Sequence, residues 1–313
     1  PQVQWDDVGG FDGVKQALLD TIRFPLDHPD LFDAGLQKRS GVLLYGPPGT
    51  GKTLMAKAVA TTFRLNFLSV KGPELLDMYI GESEANVRRV FQRARDARPC
   101  IIFFDELDSI APQRGDKSDA GGVMDRIVSQ LLAELDDVAA GGGGQIFVIG
   151  ATNRPDLLDA SLLRPGRFDK MVYLGISTDR QNQAHILRAL TKKFQLADDV
   201  DLDAIAARCP AHLTGADLYA LSSDALLKAV GRTAQHVDAA VAALNAAPAP
   251  IEDGYERPIS ITDYLERIAA PEALRLVVTR ADWDAALREL QPSLTPETLA
   301  HYEVLRQRYA APS

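Results

Sequence analysis

The sequence predicts an α/β protein in which a parallel sheet with helices on both faces is followed by a smaller helical part. Three observations carry this. The first 178 residues alternate short β-rich runs with helical periodicity, the pattern of βαβ units. One of those runs, Val42 to Tyr45, passes directly into the glycine-rich stretch Gly46-Pro47-Pro48-Gly49-Thr50-Gly51-Lys52-Thr53 and then into a helix-forming segment. After Leu174 the strand signals stop and helical patterns take over. The expected division is a large α/β part over residues 1–178 and a small helical part over 179–313, two cores being natural for 313 residues.

Taken in order, the candidate strands are Val42 to Tyr45, Phe67 to Val70, Ile101 to Phe104, Ile146 to Gly150 and Met171 to Leu174, each a short apolar run suited to burial on both faces. Glu84 to Ala97 places Val87, Val90, Phe91 and Ala94 at helical spacing, with Ser83 as its expected cap and Pro99 beyond its end. Val123 to Leu135 puts Ile127, Val128, Leu131, Leu132 and Leu135 on one stripe. In the second part the helices are Asn182 to Phe194, Leu202 to Arg208, Gly215 to Asn245, Asp282 to Leu290 and Pro296 to Tyr309. Between them, residues 246–260 read as an exposed insertion rich in Ala, Pro and polar residues.

Composition narrows the chemistry. A formal charge of −9 argues against a nucleic-acid backbone as the main target. The longest apolar runs fall far short of the ~20 residues of a membrane-spanning helix, so any membrane association must come through a partner. Two cysteines, Cys100 and Cys209, build no disulfide framework and suit a reducing compartment. The five histidines lack metal-ligand spacing. The chain opens Pro1-Gln2 without Met or an apolar signal and reads as a piece of a longer protein.

The glycine-rich stretch fits G-x-x-x-x-G-K-[ST] in its strand–loop–helix context, the signature of a P-loop NTPase. In a turn shaped by Pro48, backbone N–H groups of Gly49, Thr50 and Gly51 and on to Leu54 would cradle phosphates at a helix N-terminus. Lys52 would reach the β- and γ-phosphates and Thr53 would offer its hydroxyl to Mg²⁺, so ATP and Mg²⁺ are the expected cofactors. Asp105, closing the apolar run from Cys100, brings a carboxylate to the metal, and Glu106 beside it can polarise the attacking water. Asn153, just after the fourth strand, can orient that water. Arg164 and Arg167, three apart around Pro165-Gly166, suit a guanidinium offered to a neighbour's γ-phosphate.

Together these residues resemble an AAA ATPase. The resemblance extends from Trp5-Asp6-Asp7-Val8-Gly9-Gly10 through the phosphate loop, Asp105-Glu106, Asn153 and the two arginines to Thr214-Gly215-Ala216-Asp217-Leu218. It implies an AAA module, with adenine enclosed by backbone around Asp7, Val8, Gly9, Gly215 and Ala216. It also implies that Met78, Tyr79 and Ile80 line the pore of a hexameric ring and grip an extended polypeptide. An aromatic ring with aliphatic neighbours packs on any chain regardless of sequence. Residues 114–122 match a second pore loop with less specific residues.

Within the family, the runs Val70 to Ser83, Gly122 to Gln130 and Thr214 to Asp224 are similar to the second ATPase domain of a peroxisomal member. That implies a hetero-hexamer with peroxisomal biogenesis factor one, held at the cytosolic face of the peroxisomal membrane by a tail-anchored recruiter. Its expected work is extraction of ubiquitinated import receptors, with no nucleic acid and no direct membrane insertion. One departure stands out: where the family places Asp-Gly-Phe or Asp-Gly-Met, this chain has Asp136-Asp137-Val138, which puts signalling between subunits through that loop in doubt. Rival readings are a valosin-containing-type segregase and a ring-assembly module that binds ATP without hydrolysing it. The Asp105-Glu106 pair argues against the second.

Overall fold

The computed structural model describes residues 3–9, 11–27, 41–75, 82–112, 121–141, 145–176, 179–246, 258–270 and 274–309. Two compact units emerge. One takes in residues 1–177, 214–216 and 294–313, and the other 178–213 and 217–293.

The first unit is built on five parallel strands, β1 (Gly41–Tyr45), β2 (Asn66–Lys71), β3 (Cys100–Asp105), β4 (Ile146–Thr152) and β5 (Lys170–Tyr173), in the order β2-β3-β4-β1-β5. β1 lies between β4 and β5, with Gly41 opposite Val148 and Tyr45 opposite Thr152. Alternation along the strands feeds two cores. Ile101 and Phe103 join Val42, Leu44, Met55 and Val59 on one face. Ile102 and Phe104 join Leu43, Phe91, Ile127 and Leu131 on the other. Burying each such side chain contributes about 1.5–3 kcal/mol, so the register is firmly set, and the polar residues that follow each strand fall at its carboxyl end.

Helices cover both faces, as the sequence predicts. On the first core face lie α1 (Asp12–Asp27), which supplies Leu18 and Ile22, and α2 (Lys52–Thr62). On the other lie α3 (Glu82–Asp96) and α4 (Gly121–Ala139). The sequence reading did not anticipate α1. Ser83, expected as a cap, is instead the second residue of α3 and fully buried.

In the second unit, α5 (Arg180–Thr191), α6 (Leu202–Arg208), α7 (Gly215–Ala246, from Asp217 on) and α8 (Arg280–Glu289) surround a core containing Leu187, Leu221 and Trp283. Asp179 and Asp201 cap α5 and α6 by accepting from Gln181 and Asp203 N–H groups, and Thr279 with Asp282 forms a capping box for α8. The unit is not wholly helical. β6 (Gln195–Leu196) pairs in parallel with β7 (Val277–Val278).

Residues 247–257 of the expected insertion lie outside the described residues. At its end Pro258 and Ser260 are exposed, while Ile259 between them is buried and its backbone exchanges two hydrogen bonds with the Asn245 side chain, at 2.8 and 3.0 Å. The single cut expected at residue 178 also gives way. Residues 214–216 and 294–313, the latter containing α9 (Pro296–Tyr309), group with the α/β unit. The reason is local: α9 hydrogen-bonds to backbone that follows β4. Among the described residues no helix is long and apolar enough to cross a membrane.

Candidate functional site

The phosphate loop leaves β1 at Tyr45 and enters α2 at Lys52. Gly46 takes φ +145°, and a Cβ there would lie 2.0 Å from the Leu174 carbonyl oxygen, so glycine is required. Gly49 takes φ +75°, and its carbonyl accepts from the Ala216 N–H at 2.9 Å. A Cβ on Gly49 would stand 2.7 Å from that of Ala216. The structure thus brings Gly215 and Ala216 against the loop. Thr50 is buried and its hydroxyl donates to the Pro47 carbonyl at 3.0 Å, which braces the turn. Pro48, Gly49 and Leu54 are exposed.

Lys52 is buried, and its ammonium donates to the carbonyls of Gly46 and Pro47 at 2.9 and 2.7 Å. Burial pushes its pKa down from 10.5 to about 8, against upward pulls from Asp105 and Asp108. A buried cation held only by neutral carbonyls and more distant carboxylates is a receptor for an anion.

β3, separated from β1 by β4, supplies the carboxylates. The Thr53 hydroxyl donates to Asp105 Oδ2 at 2.8 Å, and Asp105 Oδ1 accepts from the Glu106 N–H at 3.1 Å. Glu106 is exposed and sits in the left-handed region at φ 54°, ψ 47°. A non-glycine residue in that region costs about 1–3 kcal/mol unless its surroundings fix it. Here the Ser109 N–H and hydroxyl both donate to the Glu106 carbonyl, at 2.9 and 2.7 Å. The strain throws the Glu106 side chain clear of the core at the end of β3. On β4 the Thr152 hydroxyl donates to Asp108 at 2.6 Å, and half-buried Asn153 follows, its carbonyl accepting from the Tyr302 hydroxyl at 2.9 Å. Lys52, Thr53, Asp105, Glu106 and Asn153 therefore gather at the carboxyl ends of β1, β3 and β4, where open parallel sheets bind ligands.

The remaining expected residues divide. Val8 and Gly9 are buried and Asp7 is half-buried, its carboxylate accepting from the Gln4 N–H at 2.8 Å. Arg164 is exposed, with no side-chain partner among the described residues. Arg167, in contrast, is clamped within its own chain. Its guanidinium makes a bidentate pair with Asp136 at 2.7 and 2.8 Å and donates to the Ser161 carbonyl at 2.7 Å. The hydrogen bonds from Arg167 hold the Asp136 carboxyl below its usual range. Met78, Tyr79 and Ile80, and nearly all of the expected second pore loop, lie outside the described residues. Sequence reasoning missed Asp108, Ser109 and Tyr302, and no motif spacing marks them.

Known proteins match this chain closely. Residues 42–176 match the family described as ATPase family associated with various cellular activities (AAA). Nearly the whole chain is similar to proteins named peroxisomal ATPase PEX6. Identity is 61% over 309 residues to that of Yarrowia lipolytica, covering 99% of this chain and 30% of the relative. It is 60% over 312 residues to that of Debaryomyces hansenii, covering 99% and 26%, and 60% over 314 residues to that of Colletotrichum orbiculare, covering 100% and 22%. The chain thus spans less than a third of each of these relatives.

Proposed function

We propose, from the premise that this chain belongs to the AAA family of ATPases, that it is the ATP-hydrolysing motor module of a protein-translocating ring at the peroxisome. The observation that carries the hydrolytic reading is the Thr53 hydroxyl 2.8 Å from Asp105 with Glu106 next in sequence, exposed and turned out of the core. A nucleotide-binding module without hydrolysis has no use for the second carboxylate.

Thr53 and Asp105 form a hydroxyl–carboxylate oxygen set suited to a hard divalent cation and would hold Mg²⁺. A Mg²⁺ ion held there would supply positive charge against the phosphate oxygens. Lys52 turns from the Gly46 and Pro47 carbonyls to the phosphates, and backbone N–H groups from Gly49 to Leu54 cradle them. Glu106 accepts a proton from the attacking water and Asn153 orients that water. The transferring phosphoryl group needs further positive charge, which arginines of a neighbouring subunit supply. Arg164, exposed and unpaired among the described residues, is the arginine free to be offered in this way. Arg167 is held by Asp136 and shapes the loop that presents it.

The similarity to proteins named peroxisomal ATPases supports a place at the peroxisome, and the proposal extends this to a ring alternating with peroxisomal biogenesis factor one, a tail-anchored recruiter on the cytosolic face, and import receptors as substrate. In this reading Met78, Tyr79 and Ile80 hold the polypeptide in the pore. The test is Glu106→Gln in the assembled protein. ATP should stay bound while turnover falls by at least about a hundredfold, the usual size of a general-base contribution. Rapid turnover by this variant overturns the hydrolytic assignment.

A further inference from the structure

Helix α9 ends the described chain, more than a hundred residues beyond β5, yet it packs into the first unit. Two of its tyrosines reach the backbone that follows β4. The Tyr302 hydroxyl donates to the Asn153 carbonyl at 2.9 Å, and the Tyr309 hydroxyl donates to the Pro155 carbonyl at 3.3 Å. The Tyr309 ring also meets Tyr45 edge-on, with centroids 5.9 Å apart. Tyr45 is the residue immediately before Gly46, and it is 1% exposed. Arg306 lies over Tyr173, which in turn packs on Tyr45. One helix therefore grips both the root of the phosphate loop and the loop that carries Asn153.

We propose that α9 is a working part of the nucleotide site and that Tyr302 is a positioning residue for Asn153. The proposal rests on the hydrolytic reading above, in which the Asn153 amide orients water. A side-chain amide orients water only if its own backbone is fixed, and Asn153 sits at the mouth of the site just past the strand ladder, where β4 no longer holds it. Tyr302 supplies that anchor from a buried ring, and burial raises its hydroxyl pKa, so it stays a donor through the working pH range. Neither tyrosine is assigned contact with the nucleotide. Their effect passes through the carbonyls of Asn153 and Pro155.

The test compares Tyr302→Phe with wild type in the full-length protein in its assembled form. Phenylalanine keeps the packed ring and removes only the hydroxyl. The loss of one hydrogen bond should lower kcat by about three- to tenfold, leave KM for ATP within about twofold, and speed amide hydrogen exchange across residues 150–156. Val304→Ser, on the 63% exposed side of the same helix, should change none of these. A Tyr302→Phe protein with wild-type kcat and wild-type exchange overturns the proposal. Glu106→Gln run alongside separates the two claims. If wild type and Glu106→Gln release phosphate equally slowly, the hydrolytic reading falls and the effect of Tyr302 on turnover falls with it. The exchange rate still decides whether Tyr302 holds the loop.

Discussion

Lys52 binds protons in a way that nucleotide must change. It is 8% exposed, and its pKa is pushed down from 10.5 to about 8 by burial. At about 1.4 kcal/mol per pH unit, that drop corresponds to about 3 kcal/mol. In the free protein this is a cost. The unfolded chain holds more protons than the folded one between pH 8 and 10.5, so stability rises with pH across that window and the full cost stands below pH 8. A triphosphate beside the ammonium gives it a full counter-charge and returns its pKa to the ordinary range or higher. Binding must then take up protons, about half of one per site at pH 8 and about nine-tenths at pH 9. Affinity should fall by about tenfold per pH unit above that point. Calorimetric titration with ATP at pH 8.5, in buffers of different ionisation enthalpy, measures the uptake directly. Lys52→Arg, which stays protonated throughout, should abolish it. Uptake below about 0.1 proton per site in wild type, or affinity flat from pH 8 to 9.5, refutes the argument from burial.

Other expectations follow from the same geometry. Arg164→Ala should lower turnover of the assembled protein by about a thousandfold with no change in thermal midpoint, because the side chain is exposed; a wild-type rate removes Arg164 from the arginine-finger role. Gly46→Ala should destabilise the fold by more than about 3 kcal/mol, since its Cβ would meet the Leu174 carbonyl at 2.0 Å; an unchanged melting curve contradicts the packing described. Tyr79→Ala should keep most ATP hydrolysis and lose unfolding of a polypeptide substrate, and normal unfolding by that variant returns Tyr79 to a packing role.

What could be read from the sequence was local. All five strands of the main sheet announced themselves as short apolar runs, because burial on both faces leaves no polar alternation to blur them. Lys52, Thr53, Asp105 and Glu106 were legible because each follows a strand at fixed spacing, and topology delivers them to one edge. The two-residue strands β6 and β7 were not legible, being too short for any period and joined across about 80 residues. Pro296 to Tyr309 read correctly as a helix, but nothing in its periodicity says that Tyr302 meets Asn153, 149 residues away. The clamp of Asp136 on Arg167 was invisible for the same reason. Each residue sits in a stretch of ordinary composition, and only the fold makes them neighbours.

That clamp changes the meaning of the departure at Asp136-Asp137-Val138. The aromatic tip found at this point in the family is missing, but both carboxylates are engaged. Asp136 holds Arg167, and Asp137 joins Glu134 in holding Arg95 of α3 at 2.8 and 2.7 Å. Further along the same two helices, Glu84 meets Arg126 at 3.1 Å and Arg88 meets Gln130 at 3.0 Å. The polar ladder thus runs from the start of α3, just past the Met78-Tyr79-Ile80 segment, to the end of α4 at the arginine loop. The ladder is anchored by the largely buried Arg95–Glu134 pair, and its more exposed pairs contribute about 0–1 kcal/mol each. Its value is register: with α3 and α4 also sharing Val87, Phe91, Ile127 and Leu131 in one core, neither helix can slide without breaking several contacts at once. In the ring proposed above, a displacement reaching Arg167 from a neighbouring subunit would move the α3–α4 pair as one body. Where the family has a glycine, Asp137 is a fixed tie to Arg95, so in the proposed ring any signalling through this stretch would have to run through the packed helices instead of an aromatic tip.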